Sequence, residues 1–272
     1  VASSIRPGVG EVAITEHPDQ EGQFFCKTLE KGLRALSLFG ENEGVLSLSQ
    51  VAKAIGTNKT SAYRIVNTLL LLGYLRRDPR TRALGVGPRA MYLGNALRSR
   101  FDLVRIVRPV IDAFHARLNM TVDSAVFSDD MMISLYRLEA KETLILKLPV
   151  MMRDIHTVAL GKAALSFLPD GEMVEVVGRL NLTRRTKNTI VSKDLLIAEL
   201  RRTRERGYAL NNEELIRGLI SVGAPLVSSE TRRPIGAVSI DSSTVEHRVD
   251  VFKRRYSSEV RELAWAISRT IP

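Results

Sequence analysis

Apolar residues recur at helical spacing near the start of the chain. Leu29, Leu33 and Leu36 predict a first helix running from Cys26 to near Gly40. A second helix is announced by Ser47-Leu48-Ser49-Gln50, which has the form of a capping box: the Ser47 hydroxyl accepts from the Gln50 backbone while Gln50 reaches back. Leu48, Val51, Ala52 and Ile55 share one face of that helix, and Gly56 stands where a left-handed cap would end it. Thr57 is placed to cap a third helix that turns Ala62, Ile65, Val66, Leu69 and Leu70 inward. Tyr74–Arg77 and Arg82–Val86 then read as two strands around the turn residues Asp78-Pro79-Arg80-Thr81. Two helices joined by a tight turn and followed by a hairpin predict a winged helix-turn-helix over residues 26–87, with residues 1–25 an aperiodic, flexible tail.

Pro88 suits the first turn of a helix over Arg89–Leu97, read as a linker within residues 88–102. Leu103, Val107, Val110, Ile111, Phe114 and Leu118 open a second domain, residues 103–272, with a long amphipathic helix. Strands are expected at Val122–Phe127, Met131–Leu138, Thr143–Leu148, Val222–Val227 and Ile235–Asp241, and helices from near Gly161, over Lys193–Arg206 and over Val249–Ile271. Neighbouring strands with helices at the ends give an α+β fold with a largely antiparallel sheet.

Composition sharpens this picture in three places. The 272 residues suit two unequal domains, and 44% hydrophobic content is enough to build a core in each. The formal net charge of +10 favours anionic partners, nucleic acid first. A single cysteine, Cys26, excludes an internal disulfide, and no apolar run approaches the ~18 residues of a membrane span, so a cytoplasmic protein without a membrane partner is expected.

The basic residues are not spread evenly. Arg76, Arg77, Arg80, Arg82, Arg89, Arg98 and Arg100 face a single acid, Asp78, between positions 76 and 100. A charge run alone reads as solvated surface. Following a capped three-helix pattern, it reads instead as a grip on double-stranded DNA, with wing arginines on phosphates and the third helix in the major groove. Ser49, Asn58, Lys59, Thr60, Ser61, Tyr63 and Arg64 are the candidate contacts from the helices, and Arg64 has the donor pair that matches guanine N7 and O6. Tyr63 has a second reading, packing on the wing. Arg76, Arg77, Arg80 and Arg82 complete the set from the wing.

Other chemistries find less support. Gly161-Lys162 lacks the earlier glycine of a phosphate loop, since position 156 is His. His17, His115, His156 and His247 are too widely spaced for a metal site, so neither metal nor cofactor is expected. Ser239, His156 and Asp241 offer the residue types of a hydrolytic triad, yet no nucleophile elbow surrounds the serine. An architectural nucleic-acid binder, indifferent to base sequence, is the alternative that the charge alone would allow.

The segment Ser47–Gly73 resembles the DNA-binding region of the IclR family of bacterial transcriptional regulators. The resemblance continues through His156-Thr157-Val158-Ala159-Leu160-Gly161-Lys162-Ala163, Arg206-Gly207-Tyr208, Asn212-Glu213-Glu214, Gly218 with Ala224-Pro225, and Ala237-Val238-Ser239-Ile240. It implies a GAF-like C-terminal domain that binds a small, often carboxylated metabolite, in a homodimer or in a tetramer formed when dimers pair. By that resemblance the effector site involves Ala159, Leu160, Asn211, Ser221, Ser239 and Asp241. The chain departs from the family's pattern at Val150, Met152 and Asp154, at Asn211 where an acid is frequent, and at Asp241 where a small hydroxyl residue is common. Arg153 lies among these departures, and its planar fork suits a ligand carboxylate if it turns inward; pairing with Asp154 or Asp241 is the competing arrangement.

Overall fold

The computed structural model describes residues 25–41, 45–92, 103–128, 130–141 and 150–271. They fall into two compact units, within residues 1–100 and 101–272.

In the first unit, α1 (Lys27–Glu41), α2 (Leu48–Ala54) and α3 (Lys59–Leu71) enclose a core of Ala35, Leu38, Phe39, Val51, Ile55 and Val66. Strands β1 (Val45–Leu46), β2 (Leu75–Arg77) and β3 (Leu84–Val86) form an antiparallel sheet in the order β1-β3-β2. Leu46, Leu75 and Leu84 turn from this sheet into the same core. The capping box at Ser47 is present, with the Ser47 amide donating to Gln50 Oε1 over 2.8 Å. Gly56 adopts φ +61°, the left-handed conformation that ends α2 without a Cβ penalty. The cap of α3 differs from expectation. Asn58, not Thr57, supplies it, its Oδ1 accepting from the Ser61 amide over 2.8 Å, while the Thr57 amide still donates to the Ala52 carbonyl at the end of α2.

The second unit is built on a six-stranded antiparallel sheet in the order β6-β5-β4-β9-β8-β7. Its strands are β4 (Thr121–Ser128), β5 (Met131–Leu138), β6 (Met151–Met152), β7 (Ala209–Asn212), β8 (Leu219–Val227) and β9 (Pro234–Ser243). Helices cover both faces. On one, α4 (Leu103–Leu118) and α8 (Val249–Ser268) bury Val107, Ile111, Phe252 and Val260 against Val122, Val222, Val238 and Ile240. Each such side chain stabilises the fold by roughly 1.5–3 kcal/mol. On the other face lie α5 (Ala159–Ser166), α6 (Asp170–Arg179) and α7 (Lys193–Arg206), packed over Ala125, Ala209, Ala237, Met132 and Met152.

The bounds of α7 and the start of α8 are those the periodicity predicts. The expected strand Thr143–Leu148 lies outside the described residues, as does the linker beyond Tyr92. Strands β1, β6 and β7 and helix α6 were not anticipated; three of the four are too short to show a period.

Candidate DNA-reading surface and effector site

The candidate DNA-reading surface follows from how α3 is anchored. Ala62 and Val66 are buried, with Ile65, Leu69 and Leu70 packed beside them, so Thr60, Tyr63 and Arg64 are left on the opposite side, exposed. Tyr63 is 50% exposed, which does not fit a packed role on the wing. Lys59 and Ser49 are also exposed, while Ser61 is half-buried and the Asn58 side-chain oxygen is committed to the cap. In the wing, Asp78 Oδ1 accepts from the amides of Arg80 and Thr81, each over 2.8 Å, closing an Asx turn. Those two amides hold its carboxyl below the usual range. Arg76, Arg80 and Arg82 are exposed around this turn and Arg77 is half-buried. A Cβ on Gly87 would stand 2.3 Å from the Gly73 carbonyl oxygen, so glycine there lets the end of the wing close on the end of α3.

The second site forms where α5 begins. A 3-10 turn, Ile155–Thr157, delivers the chain into α5, and Val158 at the cap position offers no side-chain acceptor to the first-turn amides. Glycine at two positions makes the close approach. A Cβ on Gly161 would lie 2.2 Å from the Ile155 carbonyl oxygen, and one on Gly223 would lie 2.8 Å from that of Ala159. The helix start therefore rests directly on β8. Below it, Asn211 pairs with Ser221 across β7 and β8, and Ser221 with Asp241 across β8 and β9, making a polar row on one face of the sheet.

Val158, Ala159, Leu160, Asn211, Leu219, Ser221, Ser239 and Asp241 line a cavity of about 10 Å³, room for about one water. The structure thus brings together six of the seven residues expected at an effector site. Arg153 is not among the lining residues. Of the two acids considered as its partners, Asp154 accepts from Arg185 Nε over 2.6 Å and Asp241 from Arg137 Nη1 over 2.9 Å.

Arg137 and Asp123 are the participants sequence reasoning missed. Arg137 Nη1 donates to Asp123 Oδ2 over 3.1 Å and to Asp241 Oδ2 over 2.9 Å, and Ser239 Oγ donates to Asp241 Oδ1 over 2.9 Å. The one signal in the sequence was an acid inside the expected strand Val122–Phe127, whose other residues apart from Ser124 are apolar. Asp123 is 1% exposed; burial, followed by the Asp241 charge, pushes its carboxyl up to about 7. The folded protein therefore holds a proton that the unfolded chain releases above its ordinary 3.8, and stability from this group is lost as pH rises from about 4 through about 7. Urea unfolding of wild type and Asp123→Asn at pH 4.5 and 7.5 should show their stability difference shifting in favour of the variant by ~2–4 kcal/mol with rising pH. A difference independent of pH would mean that Asp123 does not titrate in this window.

A buried ion pair supports the cavity from the side. Lys162, 1% exposed, donates to Glu214 Oε1 over 2.6 Å and also to the Leu210 carbonyl. Burial pushes the Glu214 carboxyl up while Lys162 pulls it down. The Glu214 amide donates to Asn211 Oδ1 over 2.9 Å, which fixes the carboxamide and leaves Asn211 Nδ2 buried without a partner. The Thr186 and Thr189 hydroxyls clasp the carbonyls of Glu213 and Glu214, each over 2.7 Å.

A hydrolytic triad is not assembled. The His156 Nε2 contact is the Thr183 carbonyl oxygen, 3.3 Å away, while Ser239 donates to Asp241. Burial holds the His156 imidazole below its ordinary value. Among the described residues no group of His, Cys, Asp and Glu is arranged to hold a metal ion, and no helix is long and apolar enough to cross a membrane.

Comparison with known proteins gives two family matches. The IclR helix-turn-helix domain matches residues 28–79, and the bacterial transcriptional regulator IclR C-terminal domain matches residues 95–269. The HTH-type transcriptional regulator XynR of Escherichia coli is 25% identical over 90% of this chain and 97% of its own length. The crystal structure of the Thermotoga maritima IclR superposes with a TM-score of 0.65 at 26% identity, covering 90% of this chain and 98% of that one. An IclR homologue from Microbacterium hydrocarbonoxydans, solved with 4-hydroxybenzoate, shares the fold, with a TM-score of 0.73 at 20% identity over 89% and 98% of the two chains.

Proposed function

Because the chain belongs to the IclR family of bacterial transcriptional regulators, we propose that α3 reads an operator in the major groove, that the wing grips the flanking phosphates, and that a small carboxylated metabolite binds where α5 begins. In this reading Arg64 contacts a base, with Thr60 and Tyr63 beside it. Lys59, Arg76, Arg80 and Arg82 neutralise phosphates and add affinity that is blind to sequence. The observation that carries the DNA half is the exposed Thr60, Tyr63 and Arg64 surface on a helix whose opposite face is locked into the core.

The effector half is supported by the cavity under an uncapped helix start, where Asn211, Ser221, Ser239 and Asp241 bring polar groups among apolar ones. Amides at such a start favour an anion. The carboxylated ligand of the M. hydrocarbonoxydans homologue is of the matching chemical kind. The ligand shifts the population between two arrangements of the protein and is released unchanged, with no catalytic step. The regulator acts in the cytoplasm as a homodimer or tetramer. Leu29 and Leu33, 61% and 57% exposed on successive turns of α1, supply apolar surface for subunit contact.

The test is binding to fragments of the DNA upstream of the protein's own gene across a salt series. One fragment should bind saturably, and Arg64→Ala should weaken that fragment by about 10- to 100-fold while leaving the others unchanged. Arg80→Ala should weaken all fragments alike and flatten the salt dependence. Equal binding to every fragment, indifferent to Arg64→Ala, would mark an architectural binder instead.

A further inference from the structure

We propose that the effector is a bifunctional acid: a carboxylate held at the α5 start and by Asn211, and, at the other end, a hydroxyl or ammonium group that donates to Asp241. This inference rests on the reading of the cavity as the effector site and adds which chemistry that site accepts.

The two ends of the polar row demand opposite things of a ligand. At one end, the first-turn amides of α5 have no side-chain cap, and Asn211 Nδ2 is a donor without a partner in a side chain that is 1% exposed. Its orientation is set, because Oδ1 is occupied by the Glu214 amide. The groups without a partner at this end are donors, so the matching ligand group is an acceptor, and a carboxylate adds the favourable charge for the helix start.

Asp241 at the other end is an acceptor. Ser239 takes Oδ1 and Arg137 takes Oδ2, which leaves one lone-pair position on each oxygen. Arg137 does not turn this end positive, because its guanidinium is divided between Asp123 and Asp241. A second carboxylate brought here would meet repulsion that little water screens, with Asp241 at 6% exposure. A hydroxyl or ammonium would instead complete the unused acceptor positions.

Ser221 lies between the two in register and can serve either sign. Asn211 and Asp241 are two strand spacings apart, roughly 9–10 Å between backbones, so the ligand's two groups are separated by several bonds. Since the cavity has room for about one water, the occupant enlarges it on entry.

The experiment is calorimetric titration of the full-length protein with butyrate and with its 2-, 3- and 4-hydroxy and amino derivatives. At least one 3- or 4-substituted derivative should bind about tenfold or more tightly than butyrate, the range expected for a hydrogen bond to a buried charge, with the 2-substituted acids gaining less. Asp241→Ser should bring that preference below about threefold without weakening butyrate. Butyrate binding as well as every derivative, a preference that survives Asp241→Ser, or no binding by any member to about 50 mM overturns the proposal. Leu160→Trp, which fills the cavity, separates the two levels of failure. Acids that still bind this variant refute the location of the site, whereas binding that is lost in it but shows no preference for a donor refutes the bifunctional ligand alone.

Discussion

Lys162→Met should lower the stability of the C-terminal unit by ~3–5 kcal/mol, the largest effect expected of any single substitution at this site. The ammonium answers the Glu214 carboxylate and the Leu210 carbonyl from a position that is 1% exposed, and Glu214 Oε2 already has no partner. Removing the cation strands an acid that water cannot reach. Pairing it with Glu214→Leu removes the stranded charge and should recover most of the loss, because two apolar side chains of similar volume replace an ion pair at little net cost. Denaturant unfolding of the two single variants and the double variant gives the coupling directly. A loss under ~1 kcal/mol for Lys162→Met would show that the pair is solvated in solution.

Gly161→Ala should be nearly as damaging, for a different reason. The added methyl would lie 2.2 Å from the Ile155 carbonyl oxygen and 2.6 Å from the Ile155 Cβ. Both belong to the turn that feeds α5, so the helix start must move off the sheet. A loss of ~2–3 kcal/mol is expected, together with loss of ligand binding even under conditions where the variant remains folded. Gly171→Ala, in α6 with nothing within 4 Å of its new methyl, is the control. It should be neutral or stabilise by up to ~0.5 kcal/mol, less than the helix-interior gain of alanine over glycine because Gly171 lies in the first turn. Thermal unfolding of the pair checks both signs at once, and equal destabilisation would remove the steric argument.

How legible the fold was depended on how local the cause of each element is. Helix α7 is bounded by Ser192, whose hydroxyl accepts from the Leu195 amide, and by Gly207 in the left-handed region, so both ends are written within a few residues. The helix-turn-helix was equally local, apart from the one-residue shift of the cap from Thr57 to Asn58. Strand β7, Ala209–Asn212, carries too few residues to show an alternation and exists because β8 pairs with it. The site divides in the same way. Its helix start and glycine were visible as a motif, and Asn211, Ser221, Ser239 and Asp241 came by resemblance. The Asp123–Arg137–Asp241 cluster joins residues that meet only when β4, β5 and β9 pair, and Arg137 on its own reads as a solvated strand residue.

The sharing of one guanidinium between two acids bears on how easily this protein can change what it senses. In most buried ion pairs, altering the acid strands the base, so the position is frozen. Here Arg137 keeps Asp123 when Asp241 is exchanged, and Glu139 stands 3.6 Å from its Nε. Position 241 is thereby released from structural duty. If Asp241 sets the ligand preference as proposed, a single codon change there would trade one preference for another while Arg137 keeps its pairing with Asp123, and this corner of the C-terminal unit would be a place where new effectors are acquired in one step.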